Sequence, residues 1–409
     1  VDGKPLGLFE AVGVELEYAI VHRDSLDVYA IADQIIERQL GHIASDVEFD
    51  DIDWSNELIL HMIEVKTADP RTPLDQLAAM FDRHLAMIRA HAEGLGARLM
   101  PTAAHPWMDP ATERRIWPHE NSEIYDTFDR IFTCRTHGWS NVQALHVNLP
   151  FANDDEFGRL HAAIRLILPL IPAIAASSPI LDSHVNGVLD RRLDAYRRNC
   201  HQIASITARV IPEPVFTQAD YATQIFERMY RDIAPHDPNG IMREEWLNAR
   251  GAIARFDRNT IEIRVIDVQE CPAADIAVTA AIVQVLKLLV AEQWSSLASQ
   301  QAWEADPLAD LLEAVMRDGE RALIDNADYL RAFGCDKRMA AGELWRRLIE
   351  QVDAKALAFC REQLDVILNH GPAARRILAA VDGDLSRAHL ADVYRSLCDC
   401  LDRGEMFVV

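Results

Sequence analysis

The segment GVELEYAIV (13–21) decides how this chain folds. Its residues alternate: Val14, Leu16 and Tyr18 fall on one face of an extended strand, Glu15 and Glu17 on the other. Such a strand belongs to a sheet with one core face and one polar face. The two carboxylates then stand roughly 6.6–7 Å apart, from a rise of about 3.3 Å per residue. That separation suits two neighbouring divalent ions, one carboxylate to each. A solvent-facing strand with two ordinary glutamates gives the same pattern, so other segments must decide.

Four of them read the same way. HMIEVKT (61–67), ALHVNLP (144–150), GAIARF (251–256) and TIEIRVID (260–267) alternate or are rich in β-branched residues. Leu145, Val147 and Leu149 share a face, with His146 and Asn148 on the reverse. A strand histidine becomes a ligand candidate only where carboxylates face it. Glu57 and Glu64 are seven residues apart, so on one unbroken strand they face opposite sides. A bend or bulge between them is needed if both serve one site. In GAIARFDRNTIEIRVID, Asp257–Thr260 reads as a hairpin turn. That register places Arg255 opposite Glu262, with Arg264 on the same face. This is either a cross-strand ion pair or a metal carboxylate between two guanidinium groups, which suits a polyphosphate held by cations. One sheet with an apolar core face and an acidic, cation-binding face accounts for all these segments.

Helical periodicity appears in 28–40, 73–94, 154–176 and 218–232. After Pro272 a long apolar helix begins, and from there to about residue 402 only helical patterns occur. The fold class is therefore α+β: a catalytic part over 1–290 and a helical C-terminal region over 291–409. The chain has 409 residues and a formal net charge of −23, which argues against a general nucleic-acid binder. A small anion such as ATP needs only a local positive cluster. The seven cysteines form no CxxC pair and read as reduced cytosolic thiols, neither a zinc cluster nor a disulfide framework. The first residues, VDGKPLGLFEAVGVELEY, do not read as a signal peptide. Leu166–Leu181 is strongly apolar but broken by Pro169, Pro172 and Pro179, so it reads as a buried helix end and loop, not a membrane span. A cytoplasmic location is the resulting expectation.

The ordered set ExE, E-x6-E, HxN, SSP and R…ExR resembles the glutamate–cysteine ligases, particularly the second type and its carboxylate–amine ligase relatives. AAHPW (103–107), ASSPIL (176–181) and NGVLDRR (186–192) belong to the same set, which runs from about Val12 to Leu289. The resemblance implies a glutamine synthetase-like catalytic fold, a curved antiparallel sheet whose concave face binds ATP and divalent metals, with helices on the other face. By that resemblance Glu17, Glu57 and Glu64 are ligands of one metal, and Glu15, His146 and Glu262 of a second. Arg264 resembles the arginine on the transferred phosphate; Arg255 belongs to the same electropositive cluster, and Asn148 to the nucleotide side. Ser177 and Ser178 resemble the wall of the amino-acid pocket. Arg192, with its neighbour Arg191 as the alternative, resembles the anchor of a substrate carboxylate. Two departures stand out: no glycine precedes AAHPW, and the C-terminal helices resemble the family only loosely.

The implied chemistry is ATP-dependent activation of a carboxylate and its capture by an amine, with Mg2+ or Mn2+ as cofactor and a small acid and amine as partners. No nucleic-acid or membrane partner is expected, and a homodimer is compatible with this reading. Glutamate and cysteine are the leading pair. A different acid and amine, a guanidino or carboxylate phosphotransferase, and a non-catalytic binding relative remain open at this stage.

Overall fold

A computed structural model describes residues 5–409. Eight strands form one antiparallel sheet: β1 (Gly13–His22), β2 (Asp46–Val47), β3 (Ile52–Asn56), β4 (Met62–Thr67), β5 (Ala97–Met100), β6 (Ala144–Pro150), β7 (Ala252–Arg255) and β8 (Thr260–Asp267). Their order is β2-β3-β4-β1-β6-β8-β7, and β5 pairs with the second half of β1. The strand first read from the sequence is thus central, flanked by the two segments that carry Glu64 and His146.

The alternation has the expected consequence. Val14, Leu16, Tyr18, Ile63, Val65, Leu145, Val147, Leu149, Ile261, Ile263 and Val265 are sealed in one hydrophobic cluster with the helices Leu74–Glu93, Asp154–Ile167 and Pro272–Val290. Each fully buried aliphatic side chain contributes about 1.5–3 kcal/mol by leaving water. The opposite face carries Glu15, Glu17, Glu64, Lys66, His146, Glu262 and Arg264, because residues two apart on a strand share a side. Pro272–Val290 is long and apolar enough to cross a membrane, yet 72% of its most apolar stretch is buried inside the protein. A helix apolar all round is what the middle of a large core requires.

Beyond that helix the chain is helical apart from a short two-stranded ladder, Leu323–Ile324 with Met339–Ala340, which the periodicity did not signal. The main hydrophobic cluster continues into this region through Leu308, Leu312, Leu344, Trp345 and Leu364. Two buried polar tips tie it to the apolar 166–170 segment: Tyr329 Oη donates to the Leu166 carbonyl at 2.6 Å and Trp345 Nε1 to that of Leu170 at 2.8 Å. Leu166–Leu181 is a helix end, short helical turns and an extended run, all buried. All seven cysteines are buried and unpaired.

Two sequence expectations need correction or completion. The β7–β8 turn is Phe256–Asn259, one residue earlier than expected, with Asn259 left-handed at φ 53°. Arg255 therefore pairs with Thr260, and Ile253 lies opposite Glu262. Arg255 still faces the site, because it is two residues from Ile253 on the same strand. The bend between Glu57 and Glu64 is a hairpin: Ser55 pairs with Glu64 across β3 and β4, and Glu57 lies in the connection.

Candidate active site

Strand register alone brings the acidic groups together. Glu17 pairs with Glu64, Glu15 with His146, and Asn148 with Glu262. Four neighbouring strands thus aim Glu15, Glu17, Glu64, His146 and Glu262 at one hollow of about 320 Å3, which Glu57, Lys66, Arg255, Arg258 and Arg264 also line. His146 sits at the centre. Its Nδ1 lies 3.0 Å from Glu15 Oε2 and 3.8 Å from Glu262 Oε1, and its Nε2 lies 3.8 Å from Glu17 Oε1.

Two triads in this hollow have donor atoms within 4.8 Å of one another: Glu15, His146 and Glu262, and Glu17, Glu64 and His146. The first is the set implied for one metal. In the second, His146 stands where Glu57 was expected, while Glu57 lines the same hollow. The electrostatics of the hollow follow from this crowding. Burial, then the neighbouring carboxylates Glu57 and Glu64, push Glu17 far above the usual carboxylate range. Burial and Glu64 push Glu57 up to about 8, and burial with Glu15 raises Glu64. Burial lowers His146 to about 4, so its ring is neutral and offers a lone pair. Crowded carboxylate oxygens and one neutral imidazole are the donors a hard divalent cation takes, so the residues fit Mg2+ or Mn2+.

Further hydrogen bonds fix these donors. Ala144 N donates to Glu17 Oε2 at 2.8 Å, Ser55 Oγ to Glu64 Oε1 at 2.6 Å, and Asn148 Nδ2 to Glu15 Oε1 at 3.0 Å. Asn148 can approach because Gly13 faces it; a Cβ there would come within 3.0 Å of the Asn148 Cβ. Arg264 Nε lies 2.9 Å from Glu262 Oε1, and Arg255 Nη1 lies 3.7 Å from Glu262 Oε2. Burial works against the charge of Arg264, but its neighbours Tyr196, then Glu262, Glu17 and Glu15, raise its already high pKa further, so it stays cationic.

A smaller cavity of about 120 Å3 adjoins the hollow and shares Glu17, Glu57, His146 and Arg264 with it. Its far wall carries Arg192 and Tyr196, one helical turn apart on Arg191–Tyr196, together with Trp139. Arg192 Nε and Tyr196 Oη are buried without a hydrogen-bond partner. Of the two neighbouring arginines only Arg192 lines this cavity; Arg191 Nη1 donates to the carbonyls of Leu181 and His184. Ser177 and Ser178 do not line either cavity. Both are fully buried beneath it, where Ser177 N and Ser178 Oγ donate to Asp267 Oδ2 at 2.8 and 2.7 Å. Asp267 in turn holds Arg192 Nη1 at 3.4 Å, so the serines act as supports of the arginine. Sequence reasoning missed Tyr196, Trp139, Lys66 and Asp267. The spacing Arg192-x3-Tyr196 on one helical segment was the available signal for Tyr196.

The profile of Glutamate-cysteine ligase family 2 (GCS2) matches residues 11–396. The chain belongs to this family. Among individual relatives, an uncharacterized protein of Archaeoglobus fulgidus is 28% identical over 397 residues, covering 97% of this chain and 100% of that one. A Corynebacterium efficiens protein provisionally named glutamate–cysteine ligase 2-1 is 23% identical, covering 87% of this chain and 86% of its own length. Solved structures share the fold of this glutamate–cysteine ligase family 2 member at low identity. A glutamate–cysteine ligase of Francisella tularensis in complex with AMP has a TM-score of 0.59 at 13% identity, over 98% of this chain and 90% of that one. A bifunctional glutathione synthetase of Pasteurella multocida has a TM-score of 0.60 at 12% identity, over 95% of this chain and 52% of that one.

Proposed function

We propose that this family member is an ATP-dependent carboxylate–amine ligase that makes an amide through an acyl phosphate, with glutamate as the leading acid and cysteine as the leading amine. The observation that carries the reading is the convergence of Glu15, Glu17, Glu57, Glu64, His146 and Glu262 on one hollow, flanked by Arg255 and Arg264 and continuous with a cavity that ends in Arg192. A carboxylate does not condense with an amine in water unless activated. Transfer of the γ-phosphoryl group of ATP to a carboxylate oxygen breaks the bond to the β-phosphate, releases ADP and supplies a leaving group. Attack of the amine on the acyl carbon then forms the amide, and phosphate departs with the electron pair of the C–O bond.

Divalent cations held by the carboxylates and His146 would neutralise phosphate charge. The chain's own groups do the rest. Arg264 faces the hollow from beside Glu262 and meets the transferring phosphoryl oxygens with charge-assisted hydrogen bonds. Arg255 adds a second positive group on the same side. Arg192 and Tyr196 present unpartnered donors to a second carboxylate of the acid and hold its reacting end toward the hollow. The deciding experiment screens purified protein for phosphate release with ATP, Mg2+, and panels of amino acids and amines. ADP release that requires both an acid and an amine is the expected result. Release with a single acceptor and no amide product would replace the ligase with a phosphotransferase.

A further inference from the structure

Asn248 is fully buried, and its side chain is bonded on both polar atoms. It ends the short turn Glu245–Leu247, whose Trp246 lines the acidic hollow, and leads toward the edge strand β7. Its Nδ2 donates to Tyr221 Oη at 2.8 Å. Its Oδ1 accepts from Arg250 N at 3.2 Å and from Arg250 Nη1 at 3.0 Å. Its backbone carbonyl accepts from Arg264 Nη1 at 3.4 Å. Resting on the ligase reading, in which Arg264 meets the transferring phosphoryl group, we propose that Asn248 is a positioning residue for Arg264, itself held in place by Tyr221 and the Arg250–Glu213 pair.

A free arginine side chain samples many rotamers, and ordering it at the moment of reaction costs entropy. Arg264 is gripped in advance on two nitrogens: Nε lies 2.9 Å from Glu262 Oε1, and Nη1 rests on the Asn248 carbonyl. The aim of that carbonyl is set by the Asn248 side chain, which folds back onto the backbone N–H two residues on, a turn that asparagine favours. Arg250, also fully buried, is fixed by Glu213 through two bonds, Nε to Oε2 at 2.6 Å and Nη2 to Oε1 at 2.7 Å. Tyr221 Oη accepts a second bond, from Ala254 N of β7 at 3.2 Å, so one hydroxyl ties together the turn and the strand on either side of Arg250. Tyr221 directly precedes a π-helical turn, Ala222–Phe226, a rare distortion that recurs at functional sites. As a bolt for the fold this cluster is a costly choice. A buried guanidinium, amide and phenol all give up water, and well-packed apolar residues of like volume hold a fold as well. Apolar residues cannot aim a carbonyl at a guanidinium.

The test is a double-mutant cycle on kcat for ADP release, followed with radiolabelled ATP so that slow variants are still read. It compares wild type, Asn248→Ala, Tyr221→Phe, Arg264→Ala and the two combinations with Arg264→Ala. Tyr221→Phe removes one oxygen and keeps the ring among Phe157, Phe226 and Phe256, so it serves as the probe if Asn248→Ala does not fold. Asn248→Ala should lower kcat about 10- to 100-fold, the scale of a misplaced reacting group. Tyr221→Phe should lower it about three- to tenfold, the scale of one lost hydrogen bond. The Michaelis constant of the acid, set by Arg192, should stay put in both. In the Arg264→Ala background neither substitution should lower kcat further, because no guanidinium remains to be held. Losses that multiply in the combinations overturn the inference and leave the ligase reading intact, as does wild-type kcat in Tyr221→Phe. Wild-type turnover in Arg264→Ala removes Arg264 from phosphoryl transfer and the inference with it. No acid- and amine-dependent ADP release by wild type overturns the ligase reading itself.

Discussion

Arg192 Nη1 lies 3.4 Å from Asp267 Oδ1, with both side chains sealed from solvent. Arg192 Nη2 donates to the Arg264 carbonyl at 3.0 Å, so the guanidinium is braced from below while Nε stays without a partner. A braced arginine with a spare donor suits the carboxylate-binding role proposed for it. Replacing Arg192 by Ala should raise the Michaelis constant of the acid far more than that of ATP. It also leaves Asp267 as a buried charge without its partner, so stability should fall by about 3–5 kcal/mol in denaturant titration. An equal rise in both constants would contradict the receptor role.

Glu262 belongs to one donor triad and also holds Arg264 at 2.9 Å. Glu262→Gln keeps the shape but removes the charge from both relationships. ADP release should drop by at least about 100-fold, the scale seen when a single preorganised electrostatic group is lost. Circular dichroism should show the wild-type secondary structure. Near-normal turnover would show that the cage assignment is wrong.

Divalent cations should stabilise the fold itself. Glu17, Glu57 and Glu64 are buried together, and their mutual repulsion opposes folding until a cation joins them. A ligand that binds only the folded state adds about 2.7 kcal/mol per site at a hundred times its Kd. Mg2+ or Mn2+ should therefore raise the Tm of wild type. Glu64→Gln should melt at or above the wild-type temperature in a chelator and below it in saturating Mg2+. A Tm indifferent to millimolar Mg2+ and Mn2+ would remove the cations from the hollow.

The site was legible where function follows the strand period and obscure where it depends on crossings between distant segments. Glu15, Glu17, His146, Glu262 and Arg264 announce themselves by alternation, since each stands opposite an apolar neighbour that the core claims. Their convergence rests on cross-strand register, which one sequence does not encode locally: nothing near Glu17 says that Glu64 will face it. The Arg255 register failed by one turn residue because the chain around Phe256–Asn259 admits two hairpins, and only the left-handed Asn259 selects one. The serine pair failed differently. A polar SSP segment after an apolar run looks like a cavity wall, but here Asp267, arriving from β8, draws both residues inward. The short ladder Leu323–Ile324 with Met339–Ala340 is too brief to show a period of two.

Glu245 offers a pH test outside the cage. Burial, and then the Asp257 carboxylate beside it, push Glu245 up to about 7 from 4.5. Both carboxylates compete for Arg255, whose Nε lies 3.9 Å from Glu245 and 3.6 Å from Asp257, while its Nη1 faces Glu262. The folded protein keeps a proton on Glu245 that the unfolded chain has already lost. Between these two pKa values the unfolded state binds fewer protons, so this residue's contribution to stability falls as pH rises and is fully lost above about pH 7. Glu245→Gln does not titrate and escapes that loss. The variant's Tm should therefore gain on wild type from about pH 5 to about pH 8 and run parallel to it beyond. The carboxylates of the cage titrate in both proteins and largely cancel in the difference. Melting curves that stay parallel across the whole range would show that Glu245 ionises in the folded protein as an ordinary surface carboxylate does.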